Sequence, residues 1–250
     1  YAPPRLSEEW SPTTEADTNG WPLLDGDQLQ QYQSLAACLN YFALDRLDLM
    51  FSVKELMRKL SSPTEDDWQK LKRVGRYLLT TPRLVMEFPW QALSDKLVVY
   101  TDADHAGCLR TRKSMSGGVI VWGRAVLKAW SRTQTLIALS SGESELAAVT
   151  KAAAEALGLQ SVLSDFGVSV SLEVHSDATA AIGICKRQGL GRVRHLATAD
   201  LWVQQKVKSK DFRLYKLPGK DNPSDLQTKY KSHPEALRFL QMLGIRPLAG

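Results

Sequence analysis

The chain has 250 residues, 44% hydrophobic and 24% charged, the balance of a soluble globular protein with room for one large domain or two small ones. Its net charge of +5 and isoelectric point near 9.1 lean toward a polyanionic partner without requiring one. No apolar run approaches the ~20 residues of a membrane span and no signal peptide opens the chain, so no membrane partner is expected.

Residues 1–26, rich in Pro, Gly, Ser, Thr and acids, read as an extended lead-in, and the start at Tyr1 reads as that of a fragment or processed product. From Asp27 to Leu60 apolar residues recur at threes and fours (Leu35, Leu39, Phe42, Leu47, Met50, Val53, Met57), which predicts helix. A second helical unit spans 61–81, with Thr64 as N-cap, Asp67 three residues on, an apolar stripe of Trp68, Leu71, Val74 and Leu78, and Pro82 as its stop. Residues 27–92 are therefore expected to form a small all-helical subdomain. The character changes at Lys96. LVVYTD is a strand, and residues 115–131 hold two more that turn at Gly123. A long alanine-rich helix spans 140–167, followed by a strand at 171–177, helices at 178–189 and 196–210, and a fifth strand at 211–219. PSDLQTKY and PEALRFLQML read as closing helices. This order predicts an α/β fold over 93–230, a five-stranded mixed sheet with helices on both faces, and a C-terminal helical extension at 231–250. Cys38, Cys108 and Cys185 are odd in number and lack zinc or redox spacing, which predicts reduced thiols and an intracellular setting, cytoplasmic or nuclear.

The acids at the ends of these elements are the candidate site. Asp102 ends LVVYT on the face of Tyr100 and Val98, whereas Asp104 shares that phase only if the strand continues, and Ala106-Gly107 predicts a turn instead. Glu145 is in line with Val149, Ala152, Ala156, Leu159 and Leu163, the inward stripe of the long helix. Glu143, about 200° away around the helix, is expected to be a solvent-facing first-turn acid. Asp177 follows a strand and Asp225 lies near a helix start; taken alone, each also fits a helix N-cap. A buried carboxylate needs a compensating positive charge, which Mg2+ supplies through oxygen ligands. Two such ions roughly 3.5–4 Å apart clamp the attacking and leaving oxygens of a phosphodiester.

YTDADHAG, RKSMSGGVIVWG, ALSSGESELAAV, VHSDATAAI, VRHL and LPGKDNPSDLQTKY, in that order, resemble the ribonuclease H domain of copia-type LTR retrotransposon polyproteins. The upstream helical stretch resembles the region that follows the reverse-transcriptase palm in those polyproteins, so the likeness covers nearly all of 28–230. The resemblance implies a ribonuclease H-like fold and hydrolysis of the RNA strand of RNA:DNA hybrids with two Mg2+ ions, Mn2+ being the alternative. It implies Asp102, Glu145, Asp177 and Asp225 as catalytic and metal-binding acids. Asp102 would bridge both ions, Glu145 and Asp177 would hold one and orient the ribose 2′-OH, and Asp225 would complete the other site. The order of the acids suits ribonuclease H rather than strand-transfer enzymes, which place the glutamate last. Nucleic-acid contacts are expected from Arg110, Arg112, Lys113, Ser116 and Gly117, and from Lys186, Arg187, Arg192 and Arg194. His195 in VRHL is a further candidate, as is Lys220, which stands in the loop where cellular ribonucleases H carry a mobile histidine. No aromatic-x-Asp-Asp polymerase motif is present, so the missing palm or another polyprotein segment is an expected partner, with a virus-like particle as one setting. The competing reading is a domesticated, non-catalytic subunit that binds RNA or hybrid; four retained acids argue against it.

Overall fold

The structure, a computed structural model, describes residues 21–108, 111–189 and 198–248. The chain opens with helices α1 (Gly26–Phe42), α2 (Met50–Met57) and α3 (Glu65–Thr80). Strands β1 (Leu84–Met86), β2 (Lys96–Asp104), β3 (Met115–Trp122) and β4 (Ala125–Thr133) follow, then helix α4 (Ser141–Asp165) and strand β5 (Ser171–Ser176). Helices α5 (Thr179–Lys186) and α6 (Thr198–Lys208) lead to strand β6 (Arg213–Lys216), and two 3-10 turns, Gly219–Asp221 and Pro223–Gln227, come next. Helix α7 (His233–Met242) and strand β7 (Ile245–Pro247) end the described chain. These elements fall into two compact units. One comprises the chain up to Met86 together with the segment from Lys229 on; the other is Glu87–Thr228.

In the first unit α1, α2 and α3 pack around Tyr32, Ala36, Leu49, Val53, Leu56, Leu71, Val74 and Tyr77. Thr64 and Asp67 form a reciprocal capping box at the start of α3, which fixes where that helix begins. The single helical pattern of 27–60 is interrupted by turns at 43–45 and 47–49. There the buried Arg46 forms a two-pronged ion pair with Asp48, donates to the Thr81 carbonyl, and so ties this corner to the end of α3. Residues 231–250, read as a separate extension, contribute α7 and β7 to this unit, and β7 pairs antiparallel with β1.

The second unit contains the expected five-stranded mixed sheet, in the order β4-β3-β2-β5-β6. β2, β3 and β4 are antiparallel neighbours; β5 and β6 run parallel to β2 and to each other. The β3–β4 hairpin turns at Gly123, whose φ of +59° a side chain would strain. Leu97, Val99, Ile120, Leu172, Val174 and Leu214 from the sheet share one core with Leu146, Val149, Ala152, Ala153 and Ala156 of α4. Ile182 and Ile184 of α5 and Val203 of α6 join the same core. By length and composition α4 is apolar enough to cross a membrane, which corrects the expectation that no segment is. Its apolarity has a local cause, because the alanines on its inner stripe are fully buried against the sheet. PSDLQTKY, expected as a helix, forms only a short 3-10 turn. Pro223 stands at its first position, and the Asn222 side chain ties it to strand β2 through one hydrogen bond to the Thr101 carbonyl.

Candidate active site

Three carboxylates arrive at one place from three elements. β2 and β5 are adjacent and parallel, with Tyr100 paired to His175, so residues two steps on in each, Asp102 and Asp177, stand level where both strands end. Asp102 sits opposite Gly117 of β3 and is 2% exposed. β2 continues through Asp104, paired with Met115, which corrects the turn expected at that point. Glu145 comes from the second turn of α4, at the head of the stripe packed on the sheet. The Asp102, Glu145 and Asp177 carboxylates offer oxygens that all lie within 4.8 Å of one another.

The bland roles of these acids are filled by other residues. Ser140 caps α4, and Glu143 turns back to accept from the Leu139 amide (2.8 Å) and the Ser140 hydroxyl (3.1 Å), leaving Glu145 as the inward glutamate. Ala178, not Asp177, is the N-cap of α5. At the second 3-10 turn Asn222 takes the cap, its Oδ1 accepting from the Ser224 amide at 3.2 Å. Asp225 is buried within that turn but is not among the three acids that the structure groups.

Two like charges at about this separation repel by roughly 3–4 kcal/mol at an effective dielectric of 20. Added positive charge would relieve that repulsion. The donor set is oxygen alone, which fits a hard divalent cation and disfavours soft thiophilic metals.

The turn that carries Asp225 is seated on the same strands. Asn222 Nδ2 donates to the Thr101 carbonyl at 3.0 Å, and the Thr228 hydroxyl donates to Asp102 Oδ2. Gly117 makes the approach possible, since a Cβ there would lie 2.7 Å from both Gln227 Cβ and Thr228 Cγ2. Gly219 of the first 3-10 turn comes equally close to Asp177, where a Cβ would lie 2.7 Å from Oδ2. Gln134 is a further organiser: its Nε2 donates to Ser116 Oγ (2.9 Å) and to the Ser144 carbonyl (2.7 Å), linking β3 to the residue before Glu145. Asn222, Thr228 and Gln134 escape sequence reading because their partners are remote; Thr228 and Asp102 are 126 residues apart.

The expected nucleic-acid contacts divide by exposure. Arg112, Lys186 and Lys220 are exposed, while Lys113 and Arg187 are half-buried. Ser116 and Gly117, expected to meet a nucleic-acid backbone, are buried in β3, where one accepts from Gln134 and the other makes room for the closing turn. Arg110, Arg192, Arg194 and His195 lie outside the described residues. Behind the acids, His175 stacks on Tyr215 (5.2 Å between centroids), and burial pushes its imidazole below the ordinary value. Neighbouring Glu173 is held low by the hydrogen bond from Lys96. All three cysteines are free.

No family model matches the chain. Curated relatives do. It is 28% identical over 218 residues to the retrovirus-related Pol polyprotein from transposon RE2 of Arabidopsis thaliana, covering 86% of this chain and 15% of that protein. It is 28% identical over 229 residues to the corresponding polyprotein from transposon TNT 1-94 of Nicotiana tabacum, covering 90% of this chain and 17% of that protein. It is 37% identical over 126 residues to secreted RxLR effector protein 161 of Plasmopara viticola, covering 50% of this chain and 88% of that protein. Among solved structures it is similar to LC11-RNase H1, isolated from compost, at 16% identity and a TM-score of 0.40 over 54% of this chain and 93% of that one. A second crystal structure of LC11-RNase H1, in complex with an RNA/DNA hybrid, gives 16% identity and a TM-score of 0.36 over 53% of this chain and 93% of that one. Over most of its length the chain is thus similar to retrovirus-related Pol polyproteins of plant transposons, and it spans 15% to 17% of the length of the first two.

Proposed function

We propose that this chain is a metal-dependent endoribonuclease that hydrolyses the RNA strand of RNA:DNA hybrids. The observation that carries the reading is the convergence of Asp102, Glu145 and Asp177, from β2, α4 and the end of β5, with oxygens within 4.8 Å of one another, a spacing at which a shared cation would offset their mutual repulsion. Magnesium suits an all-oxygen donor set, with Mn2+ as the alternative, and when bound it supplies the Lewis acidity for attack on a phosphodiester. The chain's own residues hold that charge and orient what it meets. Asp102 is the most buried of the three and accepts from the Thr228 hydroxyl. Asp225 is the proposed fourth acid, brought by the turn that bonds Asp102. Arg112, Lys113, Lys186, Arg187 and Lys220 are the proposed phosphate contacts, and backbone contact of this kind reads shape rather than sequence. A partner from the remainder of the polyprotein and an intracellular setting accord with the relatives' length and with three free thiols.

The test is incubation of the purified chain with end-labelled RNA:DNA hybrid and Mg2+, beside Asp177→Asn and a chelator control. Cleavage of the RNA strand alone, lost in both controls, is expected. A folded chain that binds hybrid without cutting it would instead support a hybrid-binding subunit, and cutting of duplex DNA would support a strand-transfer enzyme.

A further inference from the structure

We infer that Thr228 is a positioning residue for the carboxylate cluster, its buried hydroxyl setting the orientation of the Asp102 carboxylate. The inference rests on the metal-dependent nuclease reading. Thr228 is fully buried and Asp102 is 2% exposed, so no solvent competes for the bond between them. An ionised carboxylate is acceptor-only, and an O–H donor to it makes one of the stronger hydrogen bonds available to a neutral side chain. Holding Oδ2 fixes the plane of the whole group, and that plane decides how Asp102 presents its oxygens to Glu145 and Asp177.

Thr228 is itself held in place from both sides. Asn222, fully buried, bonds the Thr101 carbonyl through Nδ2, and its Oδ1 accepts from the Ser224 amide and hydroxyl. The turn between Asn222 and Thr228 is thereby anchored to the residue before Asp102 at one end and to Asp102 at the other. The Thr228 methyl rests where Gly117 has no side chain. Threonine thus offers two separable groups, a hydroxyl on the carboxylate and a methyl on the glycine. Valine keeps the methyl and serine keeps the hydroxyl, so the two variants distinguish positioning from packing.

The experiment uses the whole chain and two readouts. Binding of Mn2+ alone, without nucleic acid, is followed by electron paramagnetic resonance of the free ion, and hybrid cleavage is followed for kcat and KM. Thr228→Val is expected to weaken Mn2+ binding by about tenfold, as loss of a ligand's supporting bond does. It should lower kcat and leave KM for the hybrid unchanged. Thr228→Ser should match wild type in both. Wild-type Mn2+ affinity in Thr228→Val, or a larger loss in Thr228→Ser than in Thr228→Val, would overturn the inference in favour of packing. If Thr228→Val does not fold, Thr228→Ser decides alone: wild-type affinity supports the hydroxyl's role and reduced affinity overturns it. Asp102→Asn separates the two levels of the argument. Wild-type protein that binds no Mn2+, or an Asp102→Asn variant that binds it equally well, would remove the metal reading itself and this inference with it.

Discussion

Replacing Gly117 with alanine tests the geometry of the site without touching an acid. The added Cβ would lie 2.7 Å from Gln227 Cβ, 2.7 Å from Thr228 Cγ2 and 3.0 Å from the Ser224 carbonyl oxygen, where ordinary contact begins at 3.4 Å. None of the three is the end of a flexible side chain. Gln227, Ser224 and Thr228 are all fully buried, so the turn has no solvent-facing direction in which to yield cheaply. Overpacking of this kind costs about 1–3 kcal/mol. If the turn lifts by about half an ångström or more to relieve it, the Thr228–Asp102 bond lengthens and the carboxylate loses its fixed plane; misplacement on the order of 1 Å can cost about 100-fold in rate. The expected result is therefore a modest loss of stability, read as a lower urea midpoint, with a disproportionate loss of hybrid cleavage. A variant with wild-type midpoint and wild-type kcat would refute the claim that the turn is seated on the Asp102–Gly117 pair.

Three further outcomes are expected. Gln134→Ala removes the donor shared by Ser116 and Ser144 and loosens the start of α4; it should lower kcat by about tenfold with little change in KM, and Gln134→Glu should not rescue it, because a carboxylate cannot donate to either oxygen. Arg46→Met leaves the buried Asp48 carboxylate without its counter-charge, with only the Tyr77 hydroxyl still donating to it, and should destabilise the chain by about 3 kcal/mol in urea unfolding, with Arg46→Met/Asp48→Leu recovering part of the loss; equal midpoints for the wild type and the single variant would contradict this. Lys96 holds Glu173 below its ordinary value of 4.5, so the folded state keeps that carboxylate ionised more readily than the unfolded state does. Its contribution is fully present above pH 4.5 and is lost as pH falls through the lowered folded value, so Lys96→Met should lower stability slightly between pH 6 and 8 and flatten the acid limb of a stability–pH curve, the two proteins converging at low pH.

The parts of the structure that sequence reveals are those governed by local periodicity. The stripe from Glu145 through Val149, Ala152 and Ala156 identified both the inward face of α4 and the glutamate on it, and burial follows that stripe. The Thr64–Asp67 capping box and the Gly123 turn were legible for the same reason, since each is settled within a few residues. What remained hidden depends on contacts between distant residues. β1 and β7 are three-residue strands whose pairing joins residues more than 150 positions apart, too short for alternation to show. β2 runs past the expected turn because Met115 offers Asp104 a partner, a fact that no property of Ala106 or Gly107 reveals. The 3-10 turn at Pro223 carries the composition of a helix start and is tied to β2 through Asn222. Gly117 reads from sequence as a glycine near a basic run, and only the seating of the turn explains why it lacks a side chain.

The central claim is that Asp102, Glu145 and Asp177 hold a divalent cation, and anomalous diffraction from crystals soaked in Mn2+ tests it most directly. An anomalous peak within coordination distance of all three carboxylates, absent from Asp102→Asn crystals, is the predicted result. Full-occupancy Mn2+ elsewhere in the chain with no peak among these carboxylates would contradict the account.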